Sequence, residues 1–195
     1  MEADEEALLP RPWAPSFDED LVRAQLPSAD SADVEQTIIR AHLWTEHFLI
    51  QLIEGAVARP ASLDMDRLSF GTKVQIASAV GVLPASLAKS LMILNTLRNK
   101  VAHKLDYKFS DADKRSFFDS LPTELQGMIL GDKALDAVSF PVILRSIVYL
   151  LDSIRHSNQE RARIAKEHFA QLKKKHGKAI RRAYESVGEE PPDWD

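Results

Sequence analysis

In the stretch "SLAKSLMILNTLRNKVAHKL", residues 86 to 105, apolar side chains return every three or four positions, and nowhere along the chain is there sustained alternation in a run rich in β-branched residues. Steps of three and four place side chains on one face of an α-helix, whereas a half-buried strand needs steps of two. The chain is therefore expected to be all-α, an antiparallel helical bundle with an extended C-terminal helix.

Punctuation divides the chain into three parts. Residues 1–30 form an acidic, proline-rich arm around Pro10, Pro12, Trp13 and Pro15, followed by a short helix. The Ser-x-x-Glu box at Ser16 is expected to start that helix, which should stop before Pro27. Residues 31–156 form the bundle. Its expected helices cover 31 to 57, "SFGTKVQIASAVG", 85 to 105, a short one capped by Ser110, and two more around 123 to 130 and 133 to 137. Residues 157–195 hold a basic C-terminal helix and an acidic tail. The last helix is expected to begin near Pro141 and run to about Tyr184, with Ser157-Asn158 or Gly177 as the places to interrupt it.

With 195 residues, the chain is long enough for one domain with a real core. It has no cysteine, which excludes disulfides, thiolate zinc sites and cysteine nucleophiles. The apolar runs are only a few residues long and the start "MEADEEALLP" is acidic, so neither a membrane span nor a basic signal peptide is expected. A cytoplasmic protein fits these features. The net charge of −4 conceals a segregation along the chain: residues 161 to 182 hold nine Lys or Arg and one acid, Glu167. A polyanion responds to that local field and not to the sum.

The bundle helix over 85 to 105 carries an anomaly. Leu87, Leu91, Leu94, Val101 and Leu105 lie along one stripe at about 100° per residue, and Arg98 falls inside it. Asn99 and His103, four apart, continue on the flank a polar line that begins at Asn95. A buried guanidinium keeps its proton, so it needs an anion or a water-filled cleft. The preceding long helix offers Glu46 within the series Ile39, Leu43, Glu46, Ile50 and Ile53. The expectation is a Glu46–Arg98 pair between the helices, at the floor of a cleft that His103 borders.

Arg98-Asn99, three residues and His103, set in a helix of an all-α bundle, resembles the R-x4-6-H signature of the HEPN superfamily. The resemblance covers roughly residues 31 to 155, and "LNTLRNKVAHKLDYKFSDAD" is similar to bacterial members in which the motif helix gives way to an acidic capped helix. It implies a metal-independent endoribonuclease of toxin or phage-defence type, without cofactors, acting on RNA as a homodimer with a composite active site. His103 would then move protons at the ribose hydroxyl and leaving oxygen, Arg98 would stabilise charge on the phosphate, and Asn99 would orient one or the other. Glu46 and Asn95 would support them. An antitoxin or other regulatory protein is an implied partner. The place where many toxin members silenced by nucleotidylation carry tyrosine is Leu105 here, and the nearest tyrosine is Tyr107, which argues against that form of control. Other superfamily members are non-catalytic interaction or regulatory modules, and the bundle could serve in that way.

The chemistry stands without the resemblance. RNA carries its own nucleophile, so cleavage to a cyclic phosphate needs only proton transfer and anion stabilisation. An imidazole, with an unperturbed pKa of about 6.5, exchanges protons near neutrality, and a guanidinium offers phosphate a planar charged fork. Lys173, Lys174, Lys175, Lys178, Arg181 and Arg182 are the candidate RNA contacts on the last helix. The same helix carries a discontinuous apolar seam, Ile164, Phe169, Leu172, Ile180 and Tyr184, suited to a partner helix or a second copy. "AHLWTEH" sets His42 and Glu46 four apart with His47 adjacent, but no further ligands at metal spacing follow, and these histidines read as ordinary interface or surface residues.

Overall fold

The computed structural model describes Leu26 and residues 33–186, apart from the side chains of residues 178, 180, 183 and 185. The expected arm and the helix starting at Ser16 lie outside the described residues, Leu26 excepted. Six α-helices are present among the described residues: α1 (Val34–Ala56), α2 (Phe70–Ala79), α3 (Ala85–His103), α4 (Asp111–Phe118), α5 (Thr123–Leu130) and α6 (Phe140–Ser186). Short 3-10 turns stand at Pro60–Ser62 and Leu135–Ala137, and there is no strand among the described residues.

Side chains from just outside the helices set where they begin. Asp33 accepts from the Gln36 amide at 3.2 Å to start α1, and Ser69 accepts from the Thr72 amide at 3.1 Å to start α2. Ser110 and Asp113 form a reciprocal capping box at α4, as the sequence suggests. Such caps satisfy amides that the first helical turn leaves without partners. Gly81, at φ 78°, supplies the left-handed turn that ends α2 and leads to Pro84 at the head of α3.

Two contacts show that α1 and α3 run antiparallel. The Phe109 amide, beyond the end of α3, donates to Glu35 Oε1 near the start of α1 at 3.1 Å. Further along α1, His42 bonds to Asn95, which lies further back in α3. Between them the core closes on Ile38, Leu49 and Ile53 of α1, Leu87, Leu91 and Leu94 of α3, and Ile143, Leu144 and Ile147 of α6, all with no exposed surface. α3 ends at His103, two residues before the expected Leu105, because the chain turns there. Lys104 is extended, and Phe109 is carried back to stack on Phe140 with ring centroids 4.3 Å apart.

The last helix runs unbroken from Phe140 to Ser186, through both places where an interruption was expected. At Ser157 the hydroxyl turns back into the helix and donates to the Ser153 carbonyl at 2.7 Å. Asn158 spends its amide on the Val82 carbonyl at 3.4 Å, so neither side chain competes with the ladder. Gly177 costs a helix only about 1 kcal/mol, which neighbouring turns absorb. The chain divides into two compact units between Asn158 and Gln159. The first contains the bundle core and the second the basic part of α6.

Candidate functional site

Leu87, Ser90, Leu91, Leu94 and Leu97 are the buried residues of α3. Arg98 lies on the same side one position later and is half-buried, while Asn99 and His103 are exposed. Leu105, which the sequence reading placed on the buried stripe, is fully exposed beyond the helix end. Arg98 Nη1 donates to Asn99 Oδ1 at 3.2 Å, so the guanidinium and the amide sit edge to edge at the protein surface. His103 follows Asn99 by four residues, one turn on, as the last residue of the helix. The polar line Asn95, Asn99, His103 thus climbs from the half-buried interior of α3 to its exposed end.

The expected Glu46–Arg98 pair is not formed. Glu46 Oε1 instead accepts from Lys73 Nζ of α2 at 2.6 Å. The cause is the orientation of α1. Its buried face runs through Ile38, Ala41, His42, Thr45, Leu49 and Leu52, and Ile39, Leu43, Glu46 and Ile50 form a flank. Leu43 in that series is 57 % exposed. The flank carrying Glu46 meets α2, where Lys73 lies with its side chain only 4 % exposed. A lysine so placed can remain charged only if its ammonium finds an anion. The sequence held the signal for it: Phe70, Lys73, Val74 and Ala77 are spaced as one apolar face of α2, with a lysine inside.

The other side chain that sequence reasoning misjudged is His42, which is 4 % exposed and not a surface residue. Its Nε2–H donates to Asn95 Oδ1 at 3.0 Å, and its ring lies 4.2 Å from that of Phe70. Nδ1 is buried without a hydrogen-bond partner. Burial pushes the His42 pKa below 6.5. The Asn95 hydrogen bond and the Glu46 charge oppose that shift, and Arg98 and Lys73 add to it. Asn95, expected to support the motif, therefore reaches inward to α1, while Arg98, Lys73 and Glu46 surround the same ring electrostatically. A neutral imidazole is the form that this site holds.

The last turn of α3 is anchored on its other side. Lys100 Nζ meets Asp113 Oδ1 of α4 at 2.9 Å, and that lysine also lies 5.6 Å from the centroid of the Tyr107 ring. Within the second unit, Lys173, Lys174, Lys175, Arg181 and Arg182 are exposed on α6, and the side chain of Lys178 lies outside the described residues. Ile164, Phe169 and Leu172 on the same segment are exposed as well, at 44 %, 49 % and 42 %. No group of three His, Cys, Asp or Glu able to hold a metal ion is found among the described residues. No helix among them is long and apolar enough to cross a membrane.

Two stability measurements follow from the buried polar contacts. Because folding depresses the pKa of His42, the unfolded chain binds more protons as pH falls through 6.5. The contribution of a neutral His42 is complete above that value and is lost as pH falls toward the folded pKa. Urea midpoints measured from pH 8 to pH 5 should decline more steeply for wild type than for His42→Gln; parallel curves would refute this role. At the ion pair the two truncations should differ. Glu46→Ala strands a buried ammonium and is expected to cost about 3 kcal/mol. Lys73→Met leaves a carboxylate that is already 26 % exposed and should cost clearly less by the same urea titration; equal losses would contradict the asymmetry.

No family model, curated protein or solved structure matches the chain.

Proposed function

We propose that this protein is a metal-independent endoribonuclease of HEPN-like type, acting in the cytoplasm as a toxin or phage-defence nuclease. The observation that carries the reading is the exposed end of α3. There a guanidinium is held beside an amide at 3.2 Å, with an exposed histidine one turn further along the same helix. Arg98 offers a fixed positive fork to the oxygens of a phosphodiester. His103 takes the proton of the ribose 2′-hydroxyl, whose oxygen attacks the adjacent phosphorus while Arg98 faces the charge that develops there. The P–O5′ bond breaks and the departing oxygen takes up a proton. The products are a 2′,3′-cyclic phosphate and a 5′-hydroxyl, with no redox change and no external nucleophile.

One imidazole cannot be base and acid at the same instant. A second copy of the chain, bringing its own Arg98 and His103 to the same phosphate, supplies the missing proton donor. The reaction itself is thus an argument for a homodimer with a composite site. The cationic surface of α6, Lys173 to Lys175 with Arg181 and Arg182, would hold the RNA backbone through phosphate contacts that weaken with salt. A nuclease of this kind needs restraint in its own cell, and an antitoxin or regulatory protein is the implied partner.

Wild type, Arg98→Ala and His103→Ala should be compared on a single-stranded RNA and for their effect on bacterial growth. Wild type is expected to cleave and to slow growth. His103→Ala should lose about 10²- to 10⁴-fold in rate while keeping the wild-type melting curve, since the residue is exposed. Equal cleavage by wild type and His103→Ala would remove the assignment. No cleavage by either, with equal harmlessness in cells, would turn the reading to a non-catalytic regulatory bundle.

A further inference from the structure

From Gln159 to Ser186 the chain is one α-helix of the second compact unit, and every residue from 161 to 176 is exposed. A helix in water draws most of its stability from a packed apolar face, so a helix exposed all round is a surface to be explained. Its sequence contains such a face. Ala162, Ala165, Phe169, Leu172, His176 and Ala179 follow one another at steps of three, four, three, four and three. That strict alternation is the period of about 3.5 residues found in a seam between two supercoiled helices, narrower than the face that packs on a globular core. Phe169 and Leu172, at its centre, leave 49 % and 42 % of their surface to solvent.

What such a seam accepts is set by the side chains beside it. Arg161, Lys166, Lys175 and Arg182 stand at flanking positions, and no flanking position from 159 to 182 holds an acid. The acids of that stretch, Glu160 and Glu167, lie on the opposite face, where Arg163 pairs with them at 2.8 and 2.7 Å. Two identical copies would set these cationic flanks against each other, whether the helices ran parallel or antiparallel, which disfavours a self-pair. A nucleic-acid backbone would answer the charge but has no use for an apolar seam. We propose that residues 159–182 are one half of a heterotypic coiled coil, whose occupant is an acidic amphipathic helix of another protein, apolar at its own seam and carrying Glu or Asp on both flanks. Burial of Phe169 and Leu172 supplies the drive, the flanks choose the partner, and the polar His176 within the seam fixes register. A match needs about three heptads, or about 30 Å of helix. Such a helix would also cover Lys175 and Arg182 and, on the ribonuclease reading, keep RNA off this surface; that consequence rests on the reading, and the docking does not.

The full-length protein is to be titrated with a synthetic peptide of about four heptads, with Leu at the seam positions and Glu on both flanks, and with a second peptide of the same composition in shuffled order. The heptad peptide should bind one to one and at least about tenfold more tightly than the shuffled one. Leu172→Gln, on the exposed face, should weaken binding of the heptad peptide about tenfold while leaving the melting curve of the bundle in place. Arg161→Glu with Lys166→Glu should turn the preference toward a peptide with Lys on its flanks. Equal binding of the two acidic peptides would overturn the proposal and reduce the segment to a polyanion contact of the kind RNA would make. Failure of both to bind would overturn it too. So would a protein dimer that Leu172→Gln splits and no peptide displaces, which would give the seam to a second copy. None of these readouts involves cleavage of RNA, so the docking and the nuclease stand or fall separately.

Discussion

The hydrogen bond between His42 and Asn95 fixes how α3 presents its motif. It joins a buried ring on α1 to an amide on α3 at 3.0 Å, inside a core built mostly of apolar side chains. Hydrophobic packing rewards burial but is tolerant of small rotations of a helix, whereas a hydrogen bond with one partner is not. With Asn95 pinned inward, the residues four and eight positions later emerge on the same line. The last turn of α3 is held on its other side by the Lys100–Asp113 pair, and Asn99 and His103 meet solvent. Arg98, three positions after Asn95, is left between the core and the surface, where its charge bears on His42 and its guanidinium on Asn99.

A second polar contact serves α2 in the same way. Lys73 is almost wholly buried and is held by Glu46, so α2 is set against α1 at an angle that keeps that ammonium paired. The cost of burying these groups makes them poor sources of stability and good sources of register. The two contacts share an electrostatic neighbourhood: lowering the charge of Glu46 would favour a neutral His42 further, and removing Lys73 would relieve it. The polar seam is thus structural in α1 and α2, and becomes accessible chemistry only at the end of α3.

Much of the fold was legible because helix boundaries are local. Asp33, Ser69 and Ser110 cap helices whose apolar spacing already marked them, and the all-α class follows from that spacing. What failed was rotational phase. In α1 two series, one through Ile38, Thr45 and Leu49 and one through Ile39, Glu46 and Ile50, are each apolar enough to be a buried face, and sequence alone does not rank them. The wrong choice put Glu46 in the core centre and sent it to Arg98, when the buried polar residue of α1 was His42 and the partner of Glu46 was Lys73 of α2, whose lysine the sequence reading did not single out. Arg98, Asn99 and His103 were readable as a group because they sit within six residues of one helix. Their degree of exposure was not, since it depends on where α4 and the Phe109–Phe140 stack bring the chain around.

The proposed reaction uses a nucleophile that belongs to the RNA. The most direct measurement is therefore end-group analysis of cleavage by the purified protein in excess chelator, with an RNA strand and its 2′-deoxy counterpart of the same sequence side by side. The account predicts that the RNA alone is cut, with undiminished rate and with 2′,3′-cyclic phosphate ends. Cutting of the deoxy strand, or cleavage that stops in chelator and leaves linear phosphates, would contradict it.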